Sequence, residues 1–188
     1  MAVIAGIDFF TVKVLTWHGL ATYYVLFFLH LETRRVTLAG VTQHPTEEWM
    51  VQMARRATND VDGSLLPIRF VLHDRDSKFC ASFQDTLRSA GIRSLALPAR
   101  SPNLNAFAER WVRTIKTECL SKLILFGEAS LRRAVTQFLE HYHLERPHQG
   151  KGNQLLFTVP LPPRARPAGR IQCHERLGGL LKSYVSFR

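Results

Sequence analysis

The order of apolar and polar positions divides the first half of the chain into short strands and helices. Residues 3–14 and 35–42 are rich in β-branched and aromatic side chains, and residues 23–31 (YYVLFFLHL) form a continuous apolar run. Such runs predict strands, and a continuous run predicts a strand buried on both faces. Because the connections between these segments are short, they predict an antiparallel meander of three strands.

Helix-like and strand-like segments alternate after the meander. Helical spacing of apolar residues predicts helices at 45–60, 82–91, about 106–124 and about 128–145. Short apolar runs predict two more strands at 68–74 and 92–98. The order βββ-α-β-α-β-α-α therefore predicts an α/β domain with a mixed sheet and flanking helices.

Charge and cysteine content narrow the classes of function. The 188 residues include 25 Lys and Arg but 15 Asp and Glu, a net charge of +10, which favours a polyanionic partner such as nucleic acid. A basic protein with no nucleic-acid role remains the alternative on composition alone. Three scattered cysteines without a CxxC pattern argue against disulfides and zinc. No segment resembles a signal peptide or a membrane span, so we expect a cytoplasmic protein.

Composition changes after residue 150. We predict a core at 1–150 and a basic C-terminal extension at 151–188, where seven Lys or Arg accompany one acidic residue. The Pro- and Arg-rich stretch 160–170 is typical of an extended linker. The extension either contacts DNA without sequence specificity, serves in assembly or is a disordered terminus.

Three acidic residues carry the candidate chemistry. Asp8 and Asp74 lie in or at the end of predicted strands, and Glu109 follows Asp74 by 35 positions on a basic helix. Carboxylate oxygens suit hard divalent cations such as Mg²⁺ or Mn²⁺, and two such ions can drive phosphodiester chemistry. Without a cation, two carboxylates about 4 Å apart would repel by roughly 4 kcal/mol at an effective dielectric near 20.

The helix of Glu109 also carries candidate DNA contacts. Glu109, Arg113 and Lys116 follow i, i+4, i+7 spacing, which places them on one helix face opposite the apolar stripe. Arg110 and Asn105, the expected N-cap, are further candidates for contact with DNA phosphates. The alternative is an ordinary surface ion pair between Glu109 and Arg113, worth a few tenths of a kcal/mol.

Read together and in order, these motifs resemble a known superfamily. The segments are GIDFF, LETRRV, HDRDSKF, SPNLNAFAERWVRTIKTECL and HYHLERPHQG. Over about residues 3–150 the chain resembles the catalytic core of DDE transposases and retroviral-type integrases, and is most similar to bacterial insertion-sequence transposases. The resemblance implies a ribonuclease-H-like fold with a mixed five-stranded sheet, three antiparallel strands followed by two parallel ones, flanked by helices.

The resemblance also implies roles for particular residues. It makes Asp8, Asp74 and Glu109 the catalytic, metal-binding triad, and Lys116 the basic residue that follows the glutamate by seven positions. Asn105 and Ala106 match the Asn-Ala that precedes the glutamate in many relatives. Four residues near the end of the core also match, and we assign them to helix-end packing rather than catalysis: Tyr142, Arg146, Pro147 and His148.

The implied activity is metal-dependent DNA cleavage and strand transfer, with two Mg²⁺ or Mn²⁺ ions, DNA ends and target as substrates, and a homodimer or higher assembly. The alternatives are a ribonuclease-H-like nuclease and a catalytically silent core that binds DNA or a partner. Asp76 stands where close relatives often have Gly; it is either an acid that supports the metal ligands or a turn residue, and we favour the turn. Related transposases read their element ends through an upstream helix-turn-helix region, so we expect a fragment, a separately encoded catalytic part or a remnant.

Overall fold

Five strands form one mixed sheet in the order β3-β2-β1-β4-β5. In the computed structural model, which describes residues 4–59, 61, 63–66, 68–98, 106–157 and 171–186, these strands are β1 (Ile4–Thr16), β2 (Gly19–His30), β3 (Val36–Thr42), β4 (Phe70–His73) and β5 (Arg93–Ala96). The first three pair antiparallel, whereas β4 pairs parallel with β1 and β5 parallel with β4. This confirms the predicted sheet.

Four helices lie between or after the strands: α1 (Glu47–Ala57), α2 (Ala81–Ser89), α3 (Ala106–Glu118) and α4 (Gly127–Leu144). Thr46 caps α1 by accepting a hydrogen bond from the Trp49 N–H at 3.3 Å, as its position before two glutamates favours. Helix α3 is shorter than predicted, because a separate 3₁₀ turn at Leu120–Lys122 replaces its expected last residues. The proposed cap of α3, Asn105, lies outside the described residues.

Each face of the sheet is covered by different helices, and β1 contributes alternate side chains to both. Ala5 and Ile7 belong to a buried cluster with residues of α1 and α2, and we call this side the α1 face. Phe10 lies on the other side, where its ring packs against Trp111 of α3, and we call this the α3 face. The period of two along a strand therefore puts Asp8 on the α3 face with Phe10.

The first hairpin is tighter than its sequence suggests. Pairing of β1 with β2 continues to Thr16 and Gly19, so only Trp17 and His18 form the turn, although residues 18–22 have turn-like composition. Gly19 has φ of 105°, a left-handed conformation that suits glycine. The two strands therefore reach well beyond Asp8.

The chain forms two compact units, Met1–Arg132 and Arg133–Arg188, and the division falls within α4. The predicted boundary at residue 150 stays a prediction. Within the second unit, β6 (Ile171–Arg176) and β7 (Leu181–Ser186) form an antiparallel hairpin that the sequence analysis missed. The expected linker at 160–170 lies outside the described residues. No described helix has the length and apolar character needed to cross a membrane.

Candidate active site

The sheet register sets the two aspartates at the same level. In the parallel pair of β1 and β4, Ala5 lies opposite Val71 and Gly6 opposite Leu72. Continuing this register by two residues puts Asp8 opposite Asp74, the residue that directly follows β4. Residues opposite one another on neighbouring strands point to the same face. Both carboxylates therefore belong to the α3 face, at the carboxyl end of β4.

Helix α3 covers that face through Trp111. The Trp111 ring is 1% exposed and lies 4.4 Å from the ring of Phe27 and 5.7 Å from that of Phe10, measured between centroids. Phe27 is the β2 residue paired with Asp8. The indole therefore packs beside the first aspartate, only two residues along the helix from Glu109.

The orientation of α3 determines which way Glu109 points. The Arg34 guanidinium, in the β2–β3 connection, lies 3.1 Å from the centroid of the Phe107 ring, so this flank of α3 is turned toward β2 and β3. Glu109 and Lys116 lie about 200° and about 180° around the helix from Phe107. They are therefore on the flank of α3 opposite to Phe107. The Lys116 ammonium lies 5.8 Å from the Phe10 ring centroid, in agreement with this orientation.

The loop after β4 is organised by hydrogen bonds around Asp74 and Asp76. The Asp76 N–H donates to Asp74 Oδ1 at 3.0 Å. Asp76 in turn accepts the Lys78 backbone N–H at 3.0 Å and the Lys78 ammonium at 2.7 Å. Burial raises the pKa of the Asp76 carboxyl, but these hydrogen bonds and the charge of Lys78 outweigh it, so the pKa is lowered overall. The interpretation of Asp76 as a turn residue agrees with these bonds.

The donor chemistry of this region suits a hard cation, but the three carboxylates do not form one tight cluster. Asp74 and Glu109 are exposed, and Asp8 is partly buried. Among the residues that the structure describes, no three acidic, histidine or cysteine side chains lie close enough to hold a metal ion together. The carboxylate pair of Asp8 and Asp74 provides oxygen donors of the kind that Mg²⁺ prefers. The metal-binding and catalytic roles of the triad stay predictions.

The candidate DNA contacts lie on the outer side of α3. Arg110, Arg113 and Lys116 are all exposed, as the helical spacing predicts, and their role in DNA binding stays a prediction. Cys119, just after this helix, is buried, and burial raises the pKa of its thiol to about 11. Thiolate chemistry is therefore not expected at this end of the helix.

The Tyr-Arg-Pro-His segment packs at the end of α4. The His148 ring lies 4.7 Å from the Tyr142 ring, and His148 Nε2 is 2.8 Å from the Tyr142 carbonyl oxygen. The Arg146 guanidinium lies 5.9 Å from the same ring. These contacts agree with the interpretation that the segment closes a helix.

Two residues near the site were not singled out from the sequence. Arg34 stacks on Phe107 at the first turn of α3, and Lys78 neutralises Asp76 in the loop after β4. Lys78 had a local signal, since an acidic residue precedes it by two positions in HDRDSKF. Arg34 had none, because its partner is 73 positions away in sequence.

The segment that contains α3 is similar to a known protein family. Residues 90–154 match the family model of the integrase core domain, a range that includes Glu109 and Lys116 but neither aspartate. No curated protein matches the chain in sequence.

Solved structures share the fold over most of the chain. A chain of the simian T-cell lymphotropic virus intasome, solved in complex with PP2A regulatory subunit B56 gamma, has a TM-score of 0.63 and 18% identity. That match covers 97% of this chain and 66% of the viral one. The HTLV-2 integrase catalytic core domain in complex with magnesium matches in its dimeric form with a TM-score of 0.57 and 17% identity, covering 76% of this chain and 86% of that one. Its trimeric form gives 0.60 and 16%, covering 81% and 92%.

At these identities the structural matches establish the fold, which is that of integrase catalytic cores and is ribonuclease-H-like. The chain is therefore similar to integrase cores in two respects: residues 90–154 match the family model, and the fold is shared.

Proposed function

We propose that this chain catalyses metal-dependent cleavage of DNA strands and their transfer to a new DNA site. The observation that carries the proposal is the parallel register of β1 and β4, with Gly6 opposite Leu72, whose continuation by two residues would set Asp8 level with Asp74 on the face that α3 covers. Two carboxylates held at one level on neighbouring strands repel each other unless a cation lies between them. The integrase-core match over residues 90–154 and the shared fold support a function of the polynucleotidyl transferase type.

The side chains divide the work in this proposal. Asp8 and Asp74 would hold one Mg²⁺ or Mn²⁺ ion, and Asp8 with Glu109 a second. When bound, such ions activate the attacking oxygen and neutralise the leaving one. Glu109 would complete the site from α3, on the flank that also carries Lys116, whose ammonium lies near Phe10 of β1. No protein nucleophile is required, so no covalent protein–DNA intermediate is expected.

The exposed cations of α3 would hold the DNA backbone. Arg113 and Lys116 follow Glu109 along the same side of the helix, and Arg110 is exposed next to it. A row of cations that begins at the carboxylates would align a phosphodiester chain with them. Asn105, which directly precedes α3 in sequence, is proposed as a further contact. Replacing one of these cations by a neutral residue should reduce the slope of log DNA affinity against log salt concentration by about one.

The decisive test is strand nicking and joining on oligonucleotides that carry the terminal repeats of the source element. We expect Mg²⁺-dependent products with the unaltered chain and none with Asp74→Asn or Glu109→Gln. Asp85→Asn, which changes an exposed carboxylate on α2, is the matched control and should retain activity. Activity that survives Asp74→Asn would overturn the assignment.

Two rival functions give different results in the same assay. A ribonuclease-H-like nuclease would cleave an RNA–DNA hybrid in preference to nicked duplex ends. A silent core would bind DNA without cutting it and would show no divalent-cation binding by calorimetry. The silent core is included in the test because, among the described side chains, no three possible ligands lie close enough together to hold a metal ion.

Assembly belongs to the proposal as well. The HTLV-2 relatives occur as dimeric and trimeric forms, and the simian viral chain comes from an intasome. We propose that this chain acts as a homodimer or higher assembly on element ends and target DNA. An upstream helix-turn-helix region, on this chain or on a separate protein, would recognise the ends. Light scattering with and without DNA measures the assembly state.

A further inference from the structure

In the loop after β4, Asp76 forms an ion pair with Lys78. Both oxygens of Asp76 are used by Lys78: Oδ1 accepts the backbone N–H at 3.0 Å, and Oδ2 accepts the ammonium at 2.7 Å. The Asp76 N–H donates to Asp74 Oδ1 at 3.0 Å, and the Asp76 carbonyl accepts from the Phe79 N–H at 3.0 Å. One residue therefore links the second candidate metal ligand to the lysine and to the next buried side chain.

The other end of this loop is fixed in the core. Phe79 is 4% exposed, and its ring centroid lies 4.8 Å from that of His73 and 5.7 Å from that of Phe9. The Lys78 side chain is only 25% exposed, and its ammonium lies 5.4 Å from the ring centroid of Tyr24. Lys78 thus directs its charge back onto aromatic rings and Asp76, which also limits its use as a contact for DNA.

These contacts have a consequence for Asp74. An exposed aspartate samples several rotamers, and ordering it costs conformational entropy each time it binds a cation. A hydrogen bond to Oδ1 restrains the carboxylate before binding and leaves Oδ2 available as a ligand. A glycine at position 76 would supply the N–H but not the side chain that holds the turn.

We propose that the ion pair of Asp76 and Lys78 positions the Asp74 carboxylate for cation binding, with Lys78 as a positioning residue rather than a catalytic one. This inference rests on the proposed function, since it assumes that Asp74 is a metal ligand. It assigns Asp76 to the support of the site and excludes it from the ligands.

The direction in which cation affinity changes when the Lys78 charge is removed decides the proposal. Removing a positive charge near a cation site strengthens cation binding if charge alone matters, because a repulsion is lost. The same change strengthens binding if Asp76 is itself a ligand that Lys78 blocks. Only the positioning role predicts weaker cation binding. Without the ion pair, Asp74 is less restrained, and the entropy that it loses on binding reduces the binding free energy.

The experiment is Mn²⁺ titration by calorimetry of the whole chain and its variants. Lys78→Met keeps the aliphatic stem over the rings and removes the charge, and we expect about tenfold weaker Mn²⁺ binding, the equivalent of one charge-assisted hydrogen bond. Lys78→Arg can still pair with Asp76 and should stay within about twofold of the unaltered chain. Lys122→Met removes an exposed lysine after α3 and serves as the charge control, with no change expected.

The outcomes separate this inference from the proposed function. Loss of Mn²⁺ binding in Asp74→Asn, together with unchanged or tighter binding in Lys78→Met, overturns the positioning role alone. Full Mn²⁺ binding in Asp74→Asn overturns the proposed site itself. Thermal unfolding verifies that each variant folds, and Lys78→Gln takes the place of Lys78→Met if the latter does not. Lys78→Met combined with Asp76→Asn should bind Mn²⁺ no more weakly than either alone, since both remove the same pair.

Discussion

Replacing Asp74 with Asn should stabilise the metal-free protein and abolish its stabilisation by Mg²⁺. Asn is isosteric with Asp, and its side-chain oxygen can still accept the Asp76 N–H that now binds Asp74 Oδ1. The turn after β4 is therefore preserved while one negative charge disappears. Substitutions usually destabilise proteins, so a stabilising one at this position would indicate electrostatic repulsion of the kind that a bound cation would relieve.

The size of the effect follows from the sheet register. Continuing the register of Gly6 and Leu72 by two residues sets Asp8 level with Asp74, and neighbouring strands are about 4.8 Å apart. Two unit charges at about 5 Å repel by about 3 kcal/mol at an effective dielectric of 20 and by about 0.8 kcal/mol in bulk water. Because Asp74 is exposed, the lower figure applies, and we expect about 1 kcal/mol. For a protein of this size that corresponds to roughly 2–4 °C in Tm.

Thermal unfolding in EDTA and in Mg²⁺ measures both parts of the prediction. At a Mg²⁺ concentration about 100 times its Kd, the unaltered chain should gain about 2.7 kcal/mol, and Asp74→Asn should gain little. Asp85→Asn, at an exposed ion pair with Arg88, controls for the general loss of a charge and should leave the Mg²⁺ gain intact. A metal-free Asp74→Asn that is less stable than the unaltered chain, with the same gain from Mg²⁺, would refute the reasoning.

Two further predictions concern packing and pH. In chemical denaturation, Trp111→Ala should lower the free energy of unfolding by about 3–5 kcal/mol. Trp111→Phe should lower it far less, because the buried indole N–H has no hydrogen-bond partner among the described residues. Equal losses in the two variants would contradict this. In the second unit, Arg176 binds Glu145 at 2.7 Å and also pairs with Glu140, so Arg176→Met should cost about 1 kcal/mol after allowance for partial exposure. Burial raises the pKa of the Glu145 carboxyl, but hydrogen bonds from Arg176 and His141 outweigh it and lower the pKa, so this stabilisation is present above the ordinary value of 4.5 and is lost as pH falls through the lowered pKa. In hydrogen exchange, the protection of the β6–β7 hairpin amides, corrected for the intrinsic exchange rate at each pH, should therefore fall from pH 6 to 3 more steeply in the unaltered chain than in Arg176→Met, and parallel profiles would contradict it.

The fold of the first 150 residues was predictable because local pattern and tertiary structure agree there. The β-branched runs became β1 and β3, the apolar run at 23–31 became the interior strand β2, and acidic residues after Thr46 mark the start of α1. The C-terminal hairpin was missed because β6 alternates weakly: its residues are mostly exposed, and Arg176 rather than an apolar side chain fixes it to α4. A strand held by a charge gives no hydrophobic signal along the chain.

The site was predictable only in part, for a similar reason. Sequence order identified the three carboxylates through a family resemblance, and helical spacing placed Arg113 and Lys116 beside Glu109. The sequence does not reveal the parallel register of β1 and β4, whose continuation sets Asp8 level with Asp74, because that pairing joins segments 66 positions apart. It also missed the contact of Arg34 with Phe107, which depends on how a helix lies across a connection between strands.

The three carboxylates are held by different kinds of interaction, and this affects how the site responds to change. The strand pairing of β1 and β4 ends two residues before Asp8 and Asp74, and the Asp76 N–H holds Asp74 Oδ1, so the backbone determines the position of both aspartates. Glu109 depends on where α3 lies, and among the described contacts that position rests on side chains: Trp111 against the sheet and Phe107 under Arg34. Side-chain packing shifts more readily than a strand ladder, since a helix can slide over a sheet without breaking its own hydrogen bonds. In the proposed mechanism, an ion held by the two aspartates would therefore depend on the backbone, whereas an ion that needs Glu109 would be sensitive to any movement of α3.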